Sequence, residues 1–168
     1  MRVNIPPSPR LRDELKRFYS SSKGETTAMF QLKHSVIDVA IICSDFDKSL
    51  RFYRDMLGLE PVLDIKIPQE TARGANLAPA GFRQVRLQAG QTLIKLVEVS
   101  SPPPPRTLEF QAGVRWLTFL IEDLPATVAA LERKGVRFSG SPVNAPDARY
   151  VVCAEGPDGI LIEFVQVE

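Results

Sequence analysis

The sequence predicts an α+β fold: two consecutive βαβββ modules forming one cup-shaped mixed sheet with helices outside. Three observations predict it. Short apolar runs of strand length recur between Val36 and Val167. A helix signal interrupts them twice, opened by Asp45 and Asp123, 78 residues apart, and closed by Gly58 and Gly135, 77 residues apart. The Pro-rich stretch SSPPPPRTLE divides the two copies. Such a period marks one supersecondary unit used twice. Either unit alone is too small to bury its sheet, whereas two together can enclose a concave face.

The elements follow from the residues in order. VIDVAIICS reads as a strand, and Asp45 (or Ser44) then stands at a helix N-cap, where a side-chain oxygen can accept from unpaired N–H groups. Phe46, Leu50, Tyr53 and Leu57 recur at helical spacing, and Gly58 supplies the cap that ends the helix. PVLDIKI, FRQVRLQAG and QTLIKLVEVS follow as strands, with ETARGANLAPAG as a long loop. In the second copy GVRWLTFLIE is the strand, and Asp123 caps a helix with Pro125 in its first turn. Leu124, Val128 and Leu131 give that helix its apolar stripe, and Gly135 ends it. VRFSGSP, ARYVVCAEG and GILIEFVQVE complete the module, the last two joined by the turn PDG. The chain divides accordingly. Residues 1–33 form an N-terminal arm with a short helix through Leu11, Leu15, Phe18 and Tyr19, and 34–168 form one domain. Module one occupies 36–99, the connector 100–112 and module two 113–167.

Composition narrows the function classes. With 44% hydrophobic and 24% charged residues, the 168-residue chain is expected to be globular. A formal net charge of +1 argues against nucleic acid as a partner, because a phosphate backbone calls for a basic excess. No apolar run reaches membrane-spanning length and no export leader opens the chain, so a cytoplasmic protein without a membrane partner is expected. Cys43 and Cys153 lie in apolar runs and read as reduced core thiols. The single histidine, His34, excludes an internal multi-histidine metal site and reads as a surface residue.

VAIICSDFDKSLRFYRDMLGLEPV resembles the opening of a vicinal oxygen chelate module, and GVRWLTFLIEDLPATVAALERKGVRF with GPDGILIEFVQ resembles its second module. That superfamily includes glyoxalases, bleomycin-resistance proteins and extradiol dioxygenases, and the resemblance covers about residues 36 to 167. In its catalytic members four side chains, from the first and last strand of each module, hold a divalent metal inside the cup. The resemblance carries these positions onto Asp38, Lys95, Trp116 and Glu163, of which only the glutamate keeps its usual identity. Orthodox glyoxalase I, extradiol dioxygenase and fosfomycin transferase activities, each needing the full metal set, are therefore not expected.

Lys95 is the misfit in TLIKLVEVS, an ammonium between Ile94 and Leu96 on an apolar strand. Burying an unpaired charge is costly, so an anionic partner is expected, and Asp38 or Glu163 can supply it. The amine would then occupy the electrostatic post of the metal. The resulting expectation is a cofactor-free lyase or isomerase acting on a small oxygenated metabolite. Lys95, Asp38 and Glu163 would be catalytic, and Trp116, Arg83, Arg149 and Tyr150 would contact substrate. Arg86 also flanks the cup. Two alternatives stand beside it: non-catalytic sequestration of an aromatic or antibiotic-like ligand, and a metalloenzyme retaining a divalent ion on Asp38 and Glu163. The resemblance also implies a homodimer.

Overall fold

The computed structural model describes residues 33–34, 36–107 and 109–167. The arm's helix falls outside the described residues. Among the described residues eight strands form two four-stranded mixed sheets of identical order. In the first, β1 (Val39–Ile42) pairs parallel with β4 (Thr92–Glu98), which pairs antiparallel with β3 (Phe82–Ala89), itself antiparallel to β2 (Glu60–Ile67). In the second, β5 (Trp116–Leu120), β8 (Leu161–Gln166), β7 (Ala148–Glu155) and β6 (Val143–Ala145) repeat the pattern. The α+β, two-module architecture stands as expected, with its mixed sheet built as two halves. No backbone ladder joins the halves among the described residues, and no described helix is long and apolar enough to cross a membrane.

Both predicted caps form. Asp45 Oδ1 accepts from Lys48 N at 3.0 Å to open α1 (Phe46–Leu50), and Asp123 Oδ1 accepts from Ala126 N at 2.9 Å ahead of α3 (Leu124–Arg133). Gly58 (φ 80°) and Gly135 (φ 88°) close the two helical segments in the left-handed region that only glycine enters freely. The segments differ by one residue between cap and glycine, and the first absorbs the extra residue as a π-helical stretch, Arg51–Met56. Leu57 N donates to Phe52 O at 2.9 Å across the widened turn. As a result Phe52 and Tyr53 are both buried, while Leu50 and Leu57 lie at the edge of the core.

Two expected elements differ. The loop after β2 contains a short helix, α2 (Gln69–Gly74), anchored by the fully buried Ala72. VRFSGSP is not a strand; Phe138 makes one isolated bridge to Ala154, and the strand begins only at Val143. Gly140 weakens a ladder and Pro142 has no N–H to give it, which moves the pairing downstream.

The modules share a single core. Ile41, Phe52, Tyr53 and Leu96 of the first pack in one cluster with Leu124, Val152, Ile162 and Phe164 of the second. A buried polar contact crosses the same boundary. Asp158, in the β7–β8 turn, accepts from Ser44 N (2.8 Å), Ser44 Oγ (2.9 Å) and Ser49 Oγ (2.7 Å) at the start of α1. A carboxylate this deep is tolerated because donors surround it.

Candidate functional site

Strand alternation positions the site residues. On β4, Ile94 and Leu96 enter the core while the Lys95 side chain, 24% exposed, projects from the opposite face. On β8, Ile162 and Phe164 are buried and Glu163 lies on the other face. The registers are equivalent: Lys95 is level with Ala40 on β1, and Glu163 with Thr118 on β5. Asp38 and Trp116 therefore occupy matching places, two residues earlier on their edge strands.

In the first module, Lys95 Nζ lies 2.8 Å from Asp38 Oδ2, and Asp38 Oδ1 accepts from Leu93 N at 3.2 Å. The hydrogen bond from Lys95 is the main reason the Asp38 carboxyl is held below its ordinary range. Partial burial opposes the shift, while the Leu93 N–H and the charges of Lys95 and Arg86 reinforce it. Arg86 is level with Lys95 on β3, and its Nε donates to Gln84 Oε1 at 2.9 Å. The misfit lysine thus has its anion, and Arg86 adds a second cation to the same face.

In the second module, Thr118 Oγ1 donates to Glu163 Oε2 at 2.6 Å. Both line a hollow of about 240 Å³ with Leu120, Asp147, Val151 and Val165. Cys153 is level with Glu163 on β7. Its thiol is pushed up by burial and then by the Glu163 charge, which disfavours the reactive thiolate. Trp116 is 49% exposed on this face, accessible to a ligand or a second protein surface.

The other predicted contacts fare differently. Arg83 shares the core-side face with Val85 and Leu87, where it lies over the Phe46 ring, 4.8 Å from its centre. Its guanidinium is bidentate to Asp64 (2.8 and 2.9 Å) and reaches Glu98 (3.1 Å), so its donors are committed away from Lys95. Tyr150 packs against the core. Arg149 projects to the Val151 side and folds over the Tyr150 ring at 5.4 Å. His34 is exposed. Thr118 is the polar group the prediction left without a role; it shares the face of Trp116 by simple alternation. Among the described residues no ion pair or hydrogen bond joins the Lys95 set to the Glu163 set.

Known proteins share this fold. The family model for the Glyoxalase/Bleomycin resistance protein/Dioxygenase superfamily matches residues 34–164. The chain belongs to that superfamily. Uncharacterized protein YwkD of Bacillus subtilis (strain 168) is 34% identical over 136 residues, 80% of this chain and 98% of its own. Among solved structures, a glyoxalase family protein from Bacillus cereus superposes with a TM-score of 0.65 at 20% identity, covering 84% of this chain and 98% of its own. The antibiotic binding protein TnmS3 from Streptomyces sp. CB03234 gives 0.56 at 22%, covering 82% and 100%. At these identities the structural likeness is one of fold.

The divalent metal that the resemblance implies does not fit the residues present in this glyoxalase-superfamily chain. Indole nitrogen is only a donor, so Trp116 cannot ligate. Asp38 is already paired with an ammonium at 2.8 Å, and a divalent ion at that carboxylate would meet the lysine charge at contact range. Among the described residues no three His, Cys, Asp or Glu side chains converge.

Proposed function

We propose that this superfamily member binds a small oxygenated ligand without a metal, with Lys95 as the cation that receives a carboxylate or carbonyl oxygen. The observation that carries this reading is the 2.8 Å pair of Lys95 with Asp38, on the solvent-side face of β4. Asp38, ionised and held below its ordinary range, is a weak proton acceptor. It fixes the direction of the amine and does not serve as a general base. Arg86, across the strand pair, supports a bidentate grip on a carboxylate.

We further infer a homodimer. Ile42 (52% exposed), Trp116 (49%) and Leu120 (46%) stand on the sheet faces turned away from the core, a burden a monomer would not ordinarily carry. A second copy covering these faces is the natural route for the Glu163 face of one protomer to meet the Lys95 face of the other. The free thiols Cys43 and Cys153 support a reducing, cytoplasmic setting.

A second reading, a metal-independent lyase or isomerase, is favoured by the Thr118–Glu163 pair at the wall of a hollow. There the glutamate would carry a proton for a ligand anchored on Lys95. A thermal-shift screen of small carboxylates and 2-oxo acids tests the main reading. Stabilisation that persists in EDTA and disappears in Lys95→Met supports it. Binding that requires an added divalent ion, or that Lys95→Met leaves unchanged, overturns it.

A further inference from the structure

On the helix side of the molecule a second cavity of about 520 Å³ lies between the modules. Its walls carry Lys48 and Arg51 from the first module, Arg106 from the connector, and Lys134 and Arg137 from the second module. Among the described residues Glu155 is the one carboxylate in the lining. Five cations against one anion, counted among the described residues, is a steep local excess in a chain whose formal net charge is +1.

The neighbouring contacts reduce that excess without removing it. Arg137 pairs with Glu155 at 3.4 Å. Arg106 donates to the carbonyls of Val114 (2.8 Å) and Ala112 (3.1 Å), and Lys134 donates to the carbonyl of Asp55 (3.1 Å). Carbonyl groups orient these cations without neutralising them. The Asp55 carboxylate is engaged by Arg54 at 2.6 and 2.9 Å, and it offsets part of the charge of Arg51 and Lys134 nearby. The lining also includes the apolar residues Phe52, Met56, Val136 and Pro157. Like charges held around a concave surface repel one another unless an anion enters, and concavity focuses their field on it. The volume falls within the range of small-molecule sites.

We propose that this inter-module cleft is a second binding site, for a soluble organic phosphate of mononucleotide size. The phosphate meets Lys48, Arg51 and Lys134, and an apolar or ring portion rests on Phe52 and Met56. None of these residues lies on the Lys95 or Glu163 faces, so the site is independent of the one proposed above. Because the walls come from both modules, occupancy ties them together and raises the melting temperature.

Titration calorimetry and thermal shift on the full chain, with AMP, pyrophosphate and adenosine as probes, test this. Saturable AMP binding at one site is expected, with adenosine at least about tenfold weaker and added salt weakening AMP. Lys48 and Arg51 are exposed, so Lys48→Gln and Arg51→Gln should leave the fold intact. Together they should weaken AMP by about tenfold or more. Lys95→Met should leave AMP unchanged. AMP affinity equal in the double variant, or lost in Lys95→Met, overturns the proposal. So does binding confined to a single-stranded oligonucleotide or to phosphatidic-acid vesicles while AMP and pyrophosphate are inert.

Discussion

Asp158 and Ser49 lie 109 residues apart in the chain and 2.7 Å apart in space, carboxylate Oδ2 accepting from hydroxyl Oγ in the buried seam between the modules. With the two bonds from Ser44, the contact fixes the β7–β8 turn of one module to the β1–α1 junction of the other. That junction follows β1, and Asp38 immediately precedes the same strand, so module docking and site geometry lie at its two ends.

Removing the acceptor should be expensive. Asp158→Ala leaves the Ser44 N–H without its acceptor, while Ser49 Oγ keeps the Asp45 carbonyl at 3.0 Å, and a loss of about 2 kcal/mol is expected from urea unfolding. Asp158→Asn retains one acceptor oxygen and should cost about half as much. A change below about 0.5 kcal/mol for the alanine variant would show that the seam holds without this contact.

The Asp38–Lys95 pair predicts a pH signature. Because the folded-state pKa of Asp38 is depressed below its ordinary 3.8, the stabilisation is present above that value and is lost as the pH falls through the folded-state value. Partial exposure keeps it below about 1 kcal/mol. The stability difference between the native chain and Asp38→Asn should be flat from about pH 5 to pH 8 and vanish in the acid limb. A difference that instead grows on acidification contradicts the pairing.

Thiol chemistry reports on burial on both sides of the sheets. Burial, then the Asp158 charge, pushes Cys43 up to about 12, and Cys153 is raised by burial and then by Glu163. Iodoacetamide at about pH 8 should therefore label both residues slowly in the native chain and rapidly in urea, with Cys43 the slower. Glu163→Gln should speed labelling of Cys153 and leave Cys43 unchanged. Equal acceleration at both would mean general loosening of the fold in place of a cross-strand charge effect.

Much of this was legible in the residues. Aspartate caps and closing glycines gave the repeat, and their unequal spacing (one residue more from Asp45 to Gly58 than from Asp123 to Gly135) is the mark of the π-helical segment. Alternation placed Lys95 opposite Ile94 and Leu96 correctly. The same parity was available for Arg83, which shares its face with Val85 and Leu87 and so belongs with Phe46 on the core side. The Asp158 seam and the basic cleft were not legible. Each depends on how two modules dock, and PDG reads locally as a turn and nothing more.

The exposed apolar faces make the most demanding prediction. Sedimentation velocity at micromolar concentration should show a dimer for the native chain and a monomer for Leu120→Asp, because a carboxylate buried unpaired in an interface forfeits more than an exposed leucine contributes. If the Lys95 face of one protomer meets the Glu163 face of the other, mixing two variants distinguishes this geometry from a site made within one chain. In a heterodimer of Lys95→Met with Glu163→Gln, one cup combines both damaged residues and the other combines both native ones. Half of the heterodimer's sites should then regain both native residues and the turnover that needs them, although each parent homodimer has none intact. No recovery on mixing, with heterodimers demonstrated, would place each site within a single chain.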